Sequence, residues 1–264
     1  MTGSPLPVLM YHGVAAVAGP LRSLAVPPRR LAEQLTALTE AGYRLVGLTE
    51  ALHADADGVS EPMVAVTFDD GYADFLTKAM PVLAELGATV TLYAAVSHLG
   101  KRADWLGDRA EEFGPLLTWE QLTEVAAAGI EIGNHSLVHH PLDVLPPGQA
   151  DREIAAGRSR LEQRLQLPVP SFAYPHGYHG RRVRAAVARA GHDNACEIGH
   201  RVHRPSDHRL AIPRLQPLPD HTGPDLLKLV RGDGPALLPT VKRLAQPAWR
   251  LTRRAARLAG VRLT

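Results

Sequence analysis

The chain has 264 residues, of which 45% are hydrophobic and 21% charged, and its formal net charge is +2. This composition is typical of a soluble globular protein, and the length suffices for one large domain with a sizeable core. The single cysteine, Cys196, excludes an internal disulfide and a multi-cysteine metal site.

The charge is distributed unevenly along the chain. Residues 223–264 carry nine Lys/Arg and two Asp, a net +7, whereas the other 222 residues are net −5. We therefore predict a domain over residues 1–222 and a basic, amphipathic, helical tail over residues 223–264. Residues 240–264 would suit peripheral contact with an anionic membrane, and the alternatives are docking on the domain or a solvated helix. No nucleic-acid-binding module is recognisable, so nucleic acid is not an expected partner.

The N-terminal sequence predicts the compartment. MTGSPLPVLMYHGV has neither a basic segment nor a long apolar stretch, so it does not read as a secretory signal. No run of about 18 apolar residues occurs, so no membrane span is expected. The expected location is the cytoplasm, with membrane-peripheral contact as the alternative.

Apolar, β-branched runs alternate with amphipathic stretches of helical period. The runs cover residues 7–12, 43–48, 63–68, 88–94, 130–134, 171–175, 194–199 and 210–215. Four helical stretches end in glycines that lie just before a run, namely Gly42, Gly87, Gly129 and Gly191. The repeated order of helix, glycine and strand predicts an α/β protein with a parallel sheet. Seven or eight such units would close into a distorted (β/α) barrel.

Two adjacent carboxylates follow the third run in the sequence VAVTFDDGY. In parallel βα folds, ligands bind at the carboxyl ends of strands, which is where Asp69 and Asp70 stand. Gly71 lets the backbone turn so that both side chains reach one cavity, and a cation would relieve their repulsion. The alternative interpretation is that they cap a helix beginning near Tyr72.

A second group of polar residues follows the fifth run, in GNHSLVHHPL. His135 and His139 are four residues apart, a spacing that places two imidazoles on one face of a helical turn. Two histidines and one carboxylate are a common open metal site, with positions left for water. Surface histidines remain the alternative, because the chain has 13 of them. Together with the Asp pair, the spacing favours one shared metal site.

At this point the sequence resembles the polysaccharide deacetylases of carbohydrate esterase family 4. PVLMYHGV, TFDDGY, GNHSLVHHPL, REIAAGRSRLEQRL and FAYPHG match that family in order, over roughly residues 6–216. The opening motif is similar to the subgroup that acts on poly-N-acetylglucosamine. The resemblance implies a distorted (β/α) barrel and a metal-dependent hydrolase that removes N-acetyl groups from an amino-sugar polymer or a glycan precursor.

The resemblance also assigns roles to individual residues. Asp70, His135 and His139 would hold one divalent metal ion, most simply zinc, with cobalt or nickel as alternatives. Asp69 would be the general base that takes a proton from a metal-held water. A backbone N–H in FAYPHG, assigned here to Tyr174, would help to stabilise the oxyanion.

The general acid that protonates the departing amine is expected to be a histidine. In most of the family it follows a late strand, which points to His200, whereas in the poly-N-acetylglucosamine subgroup it lies near the N-terminus, which points to His12. We assign the role to His12. Many members have an arginine that pairs with the base, but this chain has Ala173 at that position, so we expect Arg214 to stand in for it.

Two other functions stay open from the sequence. One is a metal-dependent amidase that acts on a small molecule, and the other is a barrel that binds carbohydrate without catalysis. Trp105 is a candidate for stacking on a sugar ring. The histidines at 176, 179, 200, 203 and 208 have irregular spacing, and we expect them in solvated loops.

Overall fold

The structure is a computed structural model that describes residues 4–59 and 61–233. Within these ranges the chain forms seven strands, β1 (Val8–Tyr11), β2 (Arg44–Val46), β3 (Met63–Phe68), β4 (Thr91–Ala94), β5 (Glu131–Asn134), β6 (Ser171–Ala173) and β7 (Asn194–Cys196). The α-helices are α1 (Pro28–Glu40), α2 (Leu48–Ala56), α3 (Met80–Glu85), α4 (Trp119–Ala127), α5 (Pro147–Leu165), α6 (Arg181–Arg189) and α7 (Gly223–Arg231). A π-helical segment, Phe75–Ala79, leads into α3, and short 3-10 helices lie in several loops.

All pairs of neighbouring strands are parallel, as predicted. The sheet has the order β1-β3-β4-β5-β6-β7, and β2 pairs with the first half of β3. The eighth predicted strand, 210–215, is wrong as a regular strand, because Pro213 has no N–H to continue a ladder. It is an extended segment that bridges β7 at Ile212 and β1 at Leu215. It therefore joins the two edges of the curled sheet, which gives the distorted (β/α) barrel that the sequence predicts.

Glycine ends the helices that the sequence singled out. A glycine with positive φ follows each of α1, α3, α4 and α6, at Gly42 (85°), Gly87 (59°), Gly129 (87°) and Gly191 (87°). This conformation has no steric penalty without a Cβ, and it turns the chain back toward the next strand. At the start of α4, Thr118 and Gln121 form a reciprocal capping box.

Side chains of the strands alternate between the helices and the barrel interior. In β3, Val64, Val66 and Phe68 pack with the helices, and Ala65 belongs to a separate inner cluster. The same alternation carries Asp69, two residues beyond Thr67, to the inner side at the top of the barrel. The fold therefore separates an apolar outer core from an interior that ends in polar side chains at the carboxyl ends of the strands.

Tyr93 fills the interior below those polar side chains. Its ring passes over Gly133, where an added Cβ would lie only 2.3 Å from Tyr93 Cδ1, so only glycine fits without a rearrangement. Its hydroxyl forms a 2.6 Å hydrogen bond with Ser171 Oγ. The Arg214 guanidinium lies 5.7 Å from the centre of the Tyr93 ring. The Tyr93 ring thus packs against the Arg214 guanidinium.

The predicted division into domain and tail is described only in part. Helix α7, at the start of the predicted tail, packs against α1 and buries Leu226 and Val230. Residues 234–264, and with them the predicted membrane contact of 240–264, lie outside the described residues, so the division stays a prediction. In the described part of the chain, no helix has the length and apolar content that a membrane span requires.

Candidate metal centre

The ends of three strands and the closing segment bring the predicted site residues to one rim of the barrel. His12 follows β1, Asp69 and Asp70 follow β3, and His135 follows β5. Arg214 reaches the same place from the segment that joins β7 to β1. Parallel strands place their carboxyl ends at one edge, which explains how residues far apart in sequence meet here.

Asp70 turns into the centre through an uncommon backbone conformation. Its φ is 72°, and Gly71 follows with 85°, so the two adjacent carboxylates diverge. Strained residues of this kind cluster at functional sites.

The helical segment that follows the two carboxylates begins at Phe75, with Asp74 at its N-cap position and no side-chain capping bond. Both oxygens of Asp69 accept from Arg214 instead, and the buried Asp70 Oδ1 has no hydrogen-bond partner among the described residues. The capping interpretation is therefore not supported.

The donor atoms of Asp70, His135 and His139 lie within 4.8 Å of one another, and all three residues are buried. Asp70 Oδ1 is 3.4 Å from His135 Nε2 and 3.2 Å from His139 Nε2. Burial would raise the pKa of Asp70, but the adjoining imidazoles hold it well below its ordinary value. An ionised carboxylate and two imidazoles that converge in this way are a ligand set suited to zinc or a similar divalent ion.

A hydrogen bond from Nδ1, the ring nitrogen that faces away from Asp70, fixes the orientation of the His135 ring. His135 Nδ1 lies 2.8 Å from the carbonyl oxygen of Ala173. A carbonyl only accepts, so Nδ1 carries a proton, and Nε2 is the nitrogen that faces Asp70 Oδ1. Burial would lower the pKa of His135, but Asp70 and Asp69 raise it. The ring is therefore oriented so that Nε2 would bind a metal ion beside Asp70.

The two histidines do not share a helical turn, so the predicted reason for their proximity is wrong. Residues 135–141 form a loop in which Ser136 (φ 65°) and His139 (φ 60°) are left-handed. The His139 N–H donates to Ser136 Oγ at 2.9 Å and closes this loop. The loop, and not helical spacing, turns His139 back beside His135.

Asp69 is held by Arg214 through two hydrogen bonds. Arg214 Nη1 donates to Asp69 Oδ1 at 2.6 Å, and Nη2 donates to Oδ2 at 2.7 Å. Arg214 is fully buried and also donates to Thr67 Oγ1 at 3.1 Å. Burial would raise the pKa of Asp69, but the guanidinium keeps it below its ordinary value. Arg214 thus has the contact expected of a substitute for the arginine missing at Ala173.

Of the two candidate acids, His12 lies beside Asp69. His12 Nε2 lies 3.9 Å from Asp69 Oδ2, and its side chain is 12% exposed. Burial lowers the pKa of His12, although Asp69 and Asp70 act in the opposite direction. His200 lies beyond β7, and its backbone N–H donates to the Arg214 carbonyl at 2.8 Å.

The oxyanion role that the sequence assigned to Tyr174 conflicts with the structure. The Tyr174 N–H donates to the carbonyl of Cys196 at 3.1 Å, as part of the pairing between β6 and β7. Its side chain is also buried and donates to the Leu210 carbonyl at 2.9 Å. Because the required N–H is already used, the assignment of Tyr174 is wrong in this structure.

Two aromatic residues beside the site were not assigned to it from the sequence. The Trp105 ring stacks on His139, with centroids 3.9 Å apart, so this face is not turned to a sugar. The His176 ring lies 4.7 Å from the His139 ring, although the sequence placed His176 in a solvated loop. Neither residue lies in a strand-end motif with the ligands, so nothing in the sequence linked them to His139.

The chain matches a known protein family. The family model described as "Polysaccharide deacetylase" matches residues 56–195. The chain is 29% identical over 189 residues to the Bacillus subtilis (strain 168) protein YxkH, covering 71% of this chain and 62% of that protein. It is 30% identical over 142 residues to the Escherichia coli (strain K12) poly-beta-1,6-N-acetyl-D-glucosamine N-deacetylase, covering 50% of this chain and 20% of that protein. The chain thus spans less than two thirds of either relative.

Solved structures show the same fold over most of the chain. IcaB from Ammonifex degensii has a TM-score of 0.74 at 26% identity and covers 87% of this chain and 98% of its own. The Streptococcus pyogenes deacetylase PplD has a TM-score of 0.76 at 23% identity and covers 87% and 99%, a likeness of fold. Since the family model spans more than half of the sequence, the chain belongs to the polysaccharide deacetylase family.

Proposed function

We propose that this protein is a metal-dependent hydrolase that removes N-acetyl groups from an amino-sugar polymer or a glycan precursor. The observation that carries the proposal is the convergence of Asp70, His135 and His139 beside the Asp69–Arg214 pair. Membership of the family supports carbohydrate deacetylation, and the E. coli relative supports a polymer of N-acetylglucosamine.

Asp70, His135 and His139 are the proposed ligands of one divalent ion, with zinc first and cobalt or nickel as alternatives. When bound, such an ion would polarise the acetamide carbonyl and lower the pKa of a water molecule. The buried Asp70 Oδ1, which has no hydrogen-bond partner among the described residues, and the hydrogen bond of His135 Nδ1 to Ala173, which turns Nε2 toward Asp70, support this assignment. Three protein ligands leave room for water and substrate.

Asp69 is the proposed general base. Its neighbour Asp70 is committed to the ligand set, and Arg214 fixes the plane of the Asp69 carboxylate through both oxygens. Each carboxylate oxygen has a second lone pair, so Asp69 can still accept a proton from a water in the centre. A base held in this way needs no reorientation when the proton moves.

His12 is the proposed general acid. An amine is a poor leaving group, and a histidine can deliver the proton that it needs. His12 Nε2 lies 3.9 Å from Asp69 Oδ2 at the same rim, so base and acid lie within one small space. The proposed base and the proposed acid can then both reach one amide group of the substrate. Tyr174 has no part in this proposal.

Acetate release tests the function. The purified protein, stripped of metal and then reloaded with zinc, is incubated with N-acetylglucosamine oligomers, O-acetylated xylan and small N-acetyl amides, with Asp69→Asn as the inactive control. We expect zinc-dependent release from the oligomers, and only from the wild type. Release from small amides alone would favour the small-molecule amidase. Oligomer binding without release under any metal would favour the inactive carbohydrate-binding barrel.

A further inference from the structure

The two proposed histidine ligands are held by different contacts. His135 Nδ1 donates to the Ala173 carbonyl at 2.8 Å. His139 Nδ1 is buried but has no hydrogen-bond partner within the described residues. Metal-binding histidines almost always donate this second N–H to an acceptor, which fixes the ring. His139 lacks that contact, so another interaction must determine the orientation of its ring.

Of the three rings that contact the His139 imidazole, the Trp105 ring lies nearest to it. The indole and the His139 imidazole lie nearly parallel, with an interplanar angle of 23° and centroids 3.9 Å apart. His176 and His135 approach the same imidazole at steep angles, 66° and 64°, with centroids at 4.7 and 4.8 Å. Three aromatic rings of the described residues therefore lie around His139, and of these three Trp105 is the one that lies face to face with it.

Trp105 is itself held in position. His98 meets its ring edge-on, with centroids 5.0 Å apart and an interplanar angle of 83°. His98 Nε2 is in turn 2.9 Å from Asp104 Oδ1. Trp105 is half-buried in the 3-10 helical segment Asp104–Phe113. The indole plane is thus set by its own neighbours before any ion enters the centre.

We propose that Trp105 is a positioning residue for the metal ligand His139, and that ring stacking replaces the missing hydrogen bond to Nδ1. This inference rests on the proposed metal-binding role of His139. An imidazole that ligates a cation carries part of its positive charge, and the face of tryptophan attracts positive charge more strongly than the faces of the other aromatic side chains. Stacking should therefore strengthen when the ion binds, which couples Trp105 to metal affinity.

The test separates ring stacking from simple space filling. Zinc affinity is measured by competition with a chelator for the wild type, Trp105→Phe and Trp105→Leu, with Trp119→Leu as a control tryptophan on α4. Loss of an outer contact typically weakens metal binding about 10- to 100-fold, so we expect Trp105→Leu to bind zinc on the order of tenfold more weakly. Trp105→Phe retains a ring face and should recover most of the affinity, and Trp119→Leu should match the wild type.

A spectroscopic measurement guards against misfolding of the leucine variant. In a Trp119→Phe/Trp249→Phe background, the remaining emission comes from Trp105, and adding zinc should change its intensity or wavelength. Equal zinc affinity in Trp105→Leu and the wild type, or equal losses in the leucine and phenylalanine variants, would overturn the inference. Emission that zinc leaves unchanged would also overturn it. A wild type that binds no zinc would instead refute the metal centre, and the inference with it.

Discussion

Replacement of Arg214 by methionine should destabilise the fold strongly. The substitution keeps a long apolar side chain but removes both hydrogen bonds to Asp69, whose side chain is 4% exposed. Removing one partner of a buried ion pair costs about 3–5 kcal/mol, because the other charge is left unpaired. For a chain of this size, that loss corresponds to a fall in Tm on the order of 10 °C.

Urea unfolding measures this effect. The matched control is Arg22→Met, which breaks the exposed pair of Arg22 with Asp220 and should leave the stability nearly unchanged. The double variant Asp69→Asn/Arg214→Met should be less destabilised than the sum of its two single variants, since no buried charge is left without a partner. If Arg214→Met lowered the free energy of unfolding no more than Arg22→Met, the buried Arg214–Asp69 pair would contribute no more to stability than an exposed pair.

Three further predictions concern catalysis and pH. Asp69→Asn should keep its zinc and lose about 10²–10⁴-fold in kcat; near wild-type turnover in a steady-state assay would remove Asp69 as the base. His12→Ala should slow amide cleavage far more than cleavage of an ester with a good leaving group, whereas His200→Ala should affect neither; the opposite pattern would make His200 the acid. Burial lowers the pKa of His192 from 6.5 to about 4, so the folded protein keeps it neutral while the unfolded chain binds a proton. Stability should therefore fall as the pH drops from 6.5 to 4, by up to about 3 kcal/mol, and His192→Gln should show a shallower fall in urea titrations.

The sequence predicted the architecture well because the fold depends on local patterns. Apolar runs and helix-ending glycines are visible along the chain, and seven of the eight predicted strands are present among the described residues. The exception, 210–215, contains Pro213, and its two bridges depend on strands from both ends of the domain. The pattern alone does not distinguish such a closing segment from a regular strand.

The candidate site was predictable where a residue stands at the end of a strand. Asp69, Asp70 and His135 are of this kind, and their convergence follows from parallel pairing. The path of the loop to His139 was not predictable, because it depends on left-handed residues that are not glycine. The failure at Tyr174 has a similar cause, since strand pairing decides which backbone N–H groups remain available. Trp105 comes from a 3-10 helical segment whose position depends on tertiary packing.

Metal content tests the central claim most directly. Elemental analysis of the wild type, His139→Ala and His140→Ala, each reloaded with zinc and dialysed, compares a proposed ligand with the adjacent histidine, which pairs with Glu153 at 2.7 Å. We predict one zinc per chain in the wild type and in His140→Ala, and a large loss of zinc in His139→Ala. Equal zinc in all three proteins, or none in the wild type, would contradict it.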